Sequence, residues 1–204
     1  MSIVVDFPGG NVYHYKRLRT YEKCMGIQLY NCEYSLDISL VDETTWKQRR
    51  TKDMSIFMLG IDHNMAPVDI RALFAFTRKN TGEALLKLKK EPGICGCIIL
   101  STCNRLELWV STEENEKPEL YQWLCRLKGI EGEEYRKYFI SRENEEAVEH
   151  LFYLTSGLKS QILGEDQILT QVKDALSFAR EEFTTDSVLE VLFRMAVTAG
   201  KKIK

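Results

Sequence analysis

No stretch of this chain approaches the roughly 18 consecutive apolar residues of a membrane span. The amino terminus, Met1-Ser2-Ile3-Val4-Val5-Asp6, has neither the basic start nor the long apolar run of a secretory signal. A cytoplasmic protein is the expectation. An excess of one charge is also missing, since 28 basic residues stand against 30 acidic ones for a net charge of −2. A general nucleic-acid binder leaves a basic footprint, which this balance excludes. Any nucleic-acid contact falls to local clusters such as Lys87, Lys89 and Lys90, or Lys16, Arg17 and Arg19, and each reads first as solvated surface charge. The six cysteines contain no C-x-x-C pair, so a zinc site is not expected. Cys95 and Cys97 lie in an apolar run and Cys125 in a helical pattern, which favours reduced thiols. The Gly-x-Gly-x-x-Gly dinucleotide fingerprint is absent as well. Gly93-Ile94-Cys95-Gly96 lacks its spacing and a following helix.

What is there begins with Ile94-Cys95-Gly96-Cys97-Ile98-Ile99-Leu100, a near-continuous apolar run after the turn signal Pro92-Gly93. Such a run reads as a buried strand. It passes at once into Ser101-Thr102-Cys103-Asn104-Arg105, a polar cluster with a thiol, an amide and a guanidinium. A thiol on the loop just past a buried strand is held by a rigid element and can face a cleft. An arginine two residues on favours the thiolate and binds anions. The competing reading makes Cys103 a small core residue and pairs Arg105 with the nearby Glu107.

Around this centre the pattern predicts a first core strand at Ile56–Ile61 and a helix from about Thr81 to Lys90 ending at Pro92. A strand with alternating character follows at Leu106–Ser111. Pro118 opens a second helix, burying Leu120, Trp123, Leu124 and Leu127 before Gly129. A short strand at Tyr138–Ile140 closes the set. The fold class is therefore α+β, a small antiparallel sheet with helices in a ferredoxin-like arrangement. A helical subdomain comes next. Its first helix, Glu143–Ser156, carries Val148, Leu151, Phe152 and Thr155 on one stripe and stops at Gly157, with His150 at the stripe's edge. The second runs from about Glu165 to Glu182. The third, Ser187–Lys204, meets no breaker before the sequence ends, which reads as a chain cut inside an element. The expected domains are 1–53, an extension with a possible strand at Asp37–Val41; 54–141, carrying Cys103; 142–186, helical; and 187–204, the start of a connecting helix.

Ser101-Thr102-Cys103-Asn104-Arg105-Leu106-Glu107-Leu108 resembles the nucleophile motif of the glutamyl-tRNA reductases. Three more segments match in order. Gly60-Ile61-Asp62-His63-Asn64-Met65-Ala66-Pro67-Val68-Asp69-Ile70-Arg71 is similar to the family's opening strand and turn. The segment from Ser156 to Lys173 resembles its second signature, and Ala199-Gly200-Lys201-Lys202-Ile203 its long connecting helix. The resemblance runs from about Met54 to Lys204 and leaves residues 1–53 unmatched.

The resemblance implies an enzyme whose cysteine, here Cys103, attacks the ester of glutamyl-tRNA and holds the glutamyl group as a thioester. NADPH then reduces the thioester to glutamate-1-semialdehyde for tetrapyrrole synthesis. It implies Thr102, Asn104 and Arg105 as substrate contacts, with Arg105 on the γ-carboxylate, and His150 as a proton-transfer group. Ser160, Glu165, Asp166, Gln167 and Gln171 would form the rest of a polar wall around the glutamyl group. Asp166 stands where proline is usual and Thr170 where glycine is usual. The resemblance also implies a homodimer in full-length members, an encounter with the next pathway enzyme, glutamate-1-semialdehyde aminomutase, and a Rossmann domain beyond these residues. Two other readings of the residues remain: a tRNA- or protein-binding module without catalysis, and a thiol esterase using Cys103.

Overall fold

A computed structural model of the chain describes residues 3–6, 12–15, 54–113, 116–157 and 167–203. The chain divides into two compact units, Met1–Asp53 and Met54–Lys204. In the first, strands β1 (Ile3–Asp6) and β2 (Val12–Tyr15) pair antiparallel with Ile3 opposite Tyr15. Three β-branched residues in β1, and Val12 with two tyrosines in β2, have the composition of extended strands. The strand expected at 37–41 and the basic cluster at 16–19 lie outside the described residues.

The second unit runs β3 (Met54–Asp62), α1 (Val68–Phe74), α2 (Arg78–Leu88), β4 (Ile94–Ser101), β5 (Arg105–Glu113), α3 (Leu120–Lys128), a 3-10 turn at Arg136–Tyr138, β6 (Ile140–Glu143), α4 (Asn144–Thr155), α5 (Gln167–Glu181) and α6 (Ser187–Ile203). The sheet order is β4-β5-β3-β6 and every neighbouring pair is antiparallel. This is the β-α-β-β-α-β arrangement of ferredoxin-like folds, so the α+β reading stands.

Several boundaries move for identifiable reasons. The segment read as a turn after β3 continues into α1, with Pro67 at its N-cap position, where a missing N–H costs nothing. Helix α2 starts at Arg78 rather than Thr81 because the Thr77 hydroxyl accepts from Asn80 N at 3.3 Å, a helix-start signal the periodicity alone does not show. Helix α3 begins at Leu120, and Pro118 stands before its cap. The last strand starts at Ile140 instead of Tyr138, which belongs to the 3-10 turn. Gly129 and Gly157 adopt φ of 66° and 78° after α3 and α4, a left-handed stop that glycine takes at least cost.

Both faces of the sheet are covered. Leu59, Ile61, Cys97, Ile99, Leu108 and Val110 share one core with Leu85 and Leu88 of α2 and Leu120 and Leu124 of α3. The opposite side chains meet the later helices: Trp109 packs edge-on to Phe193 of α6, with ring centroids 5.4 Å apart, and Ser111 bonds Asp186 at 2.8 Å. Strand β5 is in consequence buried from Arg105 through Thr112. Its alternation marks two different cores, one apolar and one partly polar, and no wet face.

Candidate active site at the Cys103 turn

Strands β4 and β5 form a hairpin whose last paired residues are Ser101 and Leu106. Between them the chain turns tightly. Thr102 N donates to Arg105 O at 2.8 Å, and the Thr102 hydroxyl accepts from Asn104 N and Arg105 N, both at 3.2 Å. A threonine at this position makes such a turn with its own side chain. The two tip residues are also fixed from outside. Asn104 O accepts from His63 N at 3.0 Å, and Cys103 O accepts from Arg71 Nη1 at 2.8 Å, while Arg71 Nε donates to Ala66 O at 3.2 Å. The Cys103 side chain is exposed on this pinned backbone.

Arg105 points inward and forms the ion pair that its sequence position offered as the competing reading. Its Nη1 lies 2.9 Å from Glu107 Oε1. His150 Nε2 lies 2.9 Å from the same oxygen, and Trp109 Nε1 donates to Glu107 Oε2 at 3.1 Å. Arg105, Glu107 and Trp109 alternate along one strand and so share a face. Burial alone would raise the Glu107 pKa, but the hydrogen bond and charge of His150 and the Arg105 guanidinium outweigh it and hold the carboxyl down at about 2. Because a carboxylate only accepts, the His150 Nε2 carries its proton toward Glu107.

The position of His150 corrects the expected stripe. The buried line of α4 is Ala147, His150, Leu151, Leu154, a clean i, i+3, i+4, i+7 set, and Val148 and Phe152 flank it. His150 is only 6% exposed and sits in the middle of the inward face, its polar atom satisfied by Glu107. A histidine weighs as a boundary residue until a buried carboxylate opposite it is known.

A family profile described as "Glutamyl-tRNAGlu reductase, N-terminal domain" matches residues 59–204. The chain belongs to that family. Glutamyl-tRNA reductases of Alkaliphilus oremlandii and Acetivibrio thermocellus are each 44% identical over 151 residues, covering 74% of this chain and 45% and 46% of their own lengths. The solved glutamyl-tRNA reductase from Methanopyrus kandleri superposes with a TM-score of 0.61 at 30% identity, over 72% of this chain and 34% of that one. The chain thus spans less than half the length of these relatives.

Within this reductase N-terminal domain the other anticipated residues divide. Ser160, Glu165 and Asp166 lie outside the described residues. Gln167 opens α5 and is exposed, while Gln171 is half-buried and lines a cleft with Ser101 of β4, Phe76 and Arg78. The structure therefore brings Gln171 close to the strand end that carries the Cys103 turn. The remaining thiols differ sharply from Cys103. Cys97 is buried and burial pushes its thiol up to about 12, with Sγ 3.5 Å from Leu85 O. Arg71 received no role from the sequence, since a contact across 32 residues leaves no local trace. The signal for Glu107 was present: a charged residue inside an otherwise apolar strand requires a partner. Among the described residues no helix is long and apolar enough to cross a membrane.

Proposed function

We propose that this chain is the acyl-accepting part of a glutamyl-tRNA reductase. The Cys103 thiolate attacks the ester carbonyl of glutamyl-tRNA, the bond to the tRNA ribose oxygen breaks, that oxygen takes a proton, and the glutamyl group remains as a thioester on sulfur. His150, its orientation set by Glu107, is assigned the proton for the departing oxygen. Thr102 and Asn104 shape the turn, and the N–H groups of Arg105 not spent on Glu107 are assigned to the γ-carboxylate. Ser160, Glu165, Asp166, Gln167 and Gln171 are assigned to the polar wall around the glutamyl group. Residues 54–141 carry the nucleophile, 142–186 close the second face of its sheet, and 187–204 begin a connecting helix.

NADPH, the reductant that membership implies, has no Gly-x-Gly-x-x-Gly turn to bind in these 204 residues. Among the described strands of this sheet no two neighbours are parallel, so none form the adjacent parallel pair of a dinucleotide-binding fold. The steps assigned to this chain therefore stop at the thioester. The observation that carries the proposal is an exposed thiol on a backbone pinned at both tip carbonyls. Cys103→Ser should remove the glutamyl adduct seen by mass spectrometry after incubation with glutamyl-tRNA. An adduct that persists in that variant, or maps to Cys95 or Cys97, overturns it.

The exposure of Cys103 also favours slow hydrolysis of the thioester by water, which makes this chain alone an esterase. Release of labelled glutamate from glutamyl-tRNA should proceed at the same rate with and without NADPH.

A further inference from the structure

Three basic side chains near the Cys103 turn and the strand before it, Arg71, Arg78 and Lys128, have no carboxylate partner among the described residues. Arg71 spends two N–H groups on main-chain oxygens, Ala66 O and Cys103 O. Lys128 donates to Ala75 O, and its Nζ lies 3.8 Å from the centroid of the Phe76 ring. The Arg78 guanidinium carbon is 5.5 Å from the centroid of Phe178. Arg105, in the turn itself, is neutralised by Glu107, as Lys117, Arg126 and Arg180 are by glutamates farther away.

One short joint gathers these three cations. Residues 75–77 connect α1 to α2; Arg71 precedes the joint, Arg78 follows it, and Lys128 is bonded to its first carbonyl. The joint is tied to the nucleophile's strand, because Phe76 N donates to Ser101 Oγ at 3.1 Å and Ser101 Oγ donates back to Phe76 O at 3.3 Å. Local structure explains part of the set: a lysine on the final carbonyls of α1 is a favourable cap. It does not explain Arg78. Helix α2 opens with Arg78 and Lys79 and has no acidic residue in its first turn. Cations at a helix N-terminus oppose the helix dipole, at a cost of a few tenths of a kcal/mol to about 1 kcal/mol each. Beside the joint, a cleft of about 420 Å³ is floored by Phe76, Ile99 and Phe178 and walled on the α5 side by Asp174, Ser177 and Glu181. Its two carboxylates keep phosphate away from that wall and confine anion binding to the joint.

We propose that the α1–α2 joint receives the single-stranded 3′ end of the tRNA, with Arg71, Arg78 and Lys128 on its backbone phosphates and the terminal nucleoside in the adjoining cleft. Cations next to aromatic rings along one groove are the physical requirement for binding single-stranded nucleic acid. The proposal rests on the acyl-transfer reading, and it supplies what an acidic chain lacks overall, a local basic strip beside the nucleophile. The ester to be attacked is borne by that same 3′ end, so holding its last phosphates presents the ester to Cys103.

Two probes separate this inference from the reading beneath it. The first is an acceptor-stem hairpin RNA with an unpaired 3′ strand and no aminoacyl group, and the second a small α-glutamyl thioester that contains no phosphate. Arg78→Ala and Lys128→Ala should each weaken hairpin binding several-fold at low salt. Each should also reduce the slope of log Kd against log salt by about 0.7, the value of one phosphate contact on a single strand. Lys128→Arg, which keeps the charge, should bind as the native chain does. Acylation of Cys103 by the small thioester should be unchanged in Arg78→Ala and Lys128→Ala. Unaltered affinity and slope in both variants overturn the proposal. Equal losses on a blunt hairpin do so too, since they mean general attraction to phosphate. Failure of the thioester to acylate native Cys103 overturns the acyl-transfer reading instead, and the salt slopes still decide the RNA contact.

Discussion

Arg105 and Arg71 serve the same turn with the same charge but opposite partners, a carboxylate for one and backbone carbonyls for the other. Arg105 is 6% exposed, its guanidinium against the ionised Glu107, which His150 and Trp109 also hold. Arg71 is half-buried and meets only the carbonyl oxygens of Ala66 and Cys103. A buried cation must be neutralised or it costs several kcal/mol, so Arg105 is inseparable from its carboxylate. A cation at the rim keeps its hydration and can go unpaired, which leaves its remaining donors for an incoming anion. The interior network sets orientation and the rim supplies attraction. Substitutions that remove one should leave the other in place.

Glu107→Ala should produce the largest change. It strands Arg105 and His150 without their shared acceptor, and breaking a buried ion pair from one side costs about 3–5 kcal/mol. Urea denaturation of the variant measures it. A loss below about 1 kcal/mol would mean that water replaces the carboxylate and the interior is not the dry network described here. Acid gives the same contrast without mutation. The Glu107 carboxyl is held down at about 2 in the fold against 4.5 for an ordinary glutamate. A group with a depressed folded pKa contributes stability that is complete above the unfolded value and is lost as pH falls toward the folded one. Roughly 3 kcal/mol should therefore disappear between about pH 5 and pH 2. Stability measured against pH should show this fall in the native chain and a flatter curve in Glu107→Gln.

Arg71→Ala comes next. Removing a charged donor from the Cys103 and Ala66 carbonyls should cost about 1.5–3 kcal/mol. The acylation rate at Cys103 should fall by more than the stability change accounts for, because the nucleophile's backbone loses its outside anchor. Arg71→Lys retains charge but not two directed N–H groups, so it should recover only part of the loss. A variant that acylates at the native rate would remove Arg71 from the positioning of Cys103.

The outer half of this comparison was harder to read from the sequence than the inner half, although neither was fully legible. The strand, the polar turn and the thiol were visible because an apolar run ending in Ser101-Thr102-Cys103 has few other meanings. Glu107 was visible as a partner for Arg105, yet its burial was not, because alternation along β5 normally signals one solvated face. Only the packing of α4 and α6 on that face makes its polar members interior. His150 read as a residue at the stripe's edge for the same reason, whereas it lies within the buried face beside Leu151 and Leu154. Arg71 and Lys128 were invisible in these roles, since their acceptors lie 32 and 53 residues away. Long-range hydrogen bonds to backbone carbonyls leave no pattern in side-chain types.

The smallest stability effect belongs to the nucleophile itself. Cys103 is exposed, and the turn beneath it is built from the Thr102 hydroxyl and from main-chain groups. Cys103→Ser changes one solvated atom and should alter stability by less than about 0.5 kcal/mol while abolishing the adduct. Cys97 provides the internal standard. It lies six positions earlier in the same hairpin, packed in the core with its thiol pushed up to about 12. At pH 8 only about one molecule in 10⁴ would carry a Cys97 thiolate, and burial blocks even that fraction. Iodoacetamide should therefore modify Cys103 well before Cys97 in the folded chain, and the two should converge in urea. Equal rates in the folded protein would show that the hairpin opens as readily at its core as at its tip. That would undo the distinction between a pinned backbone and an accessible sulfur.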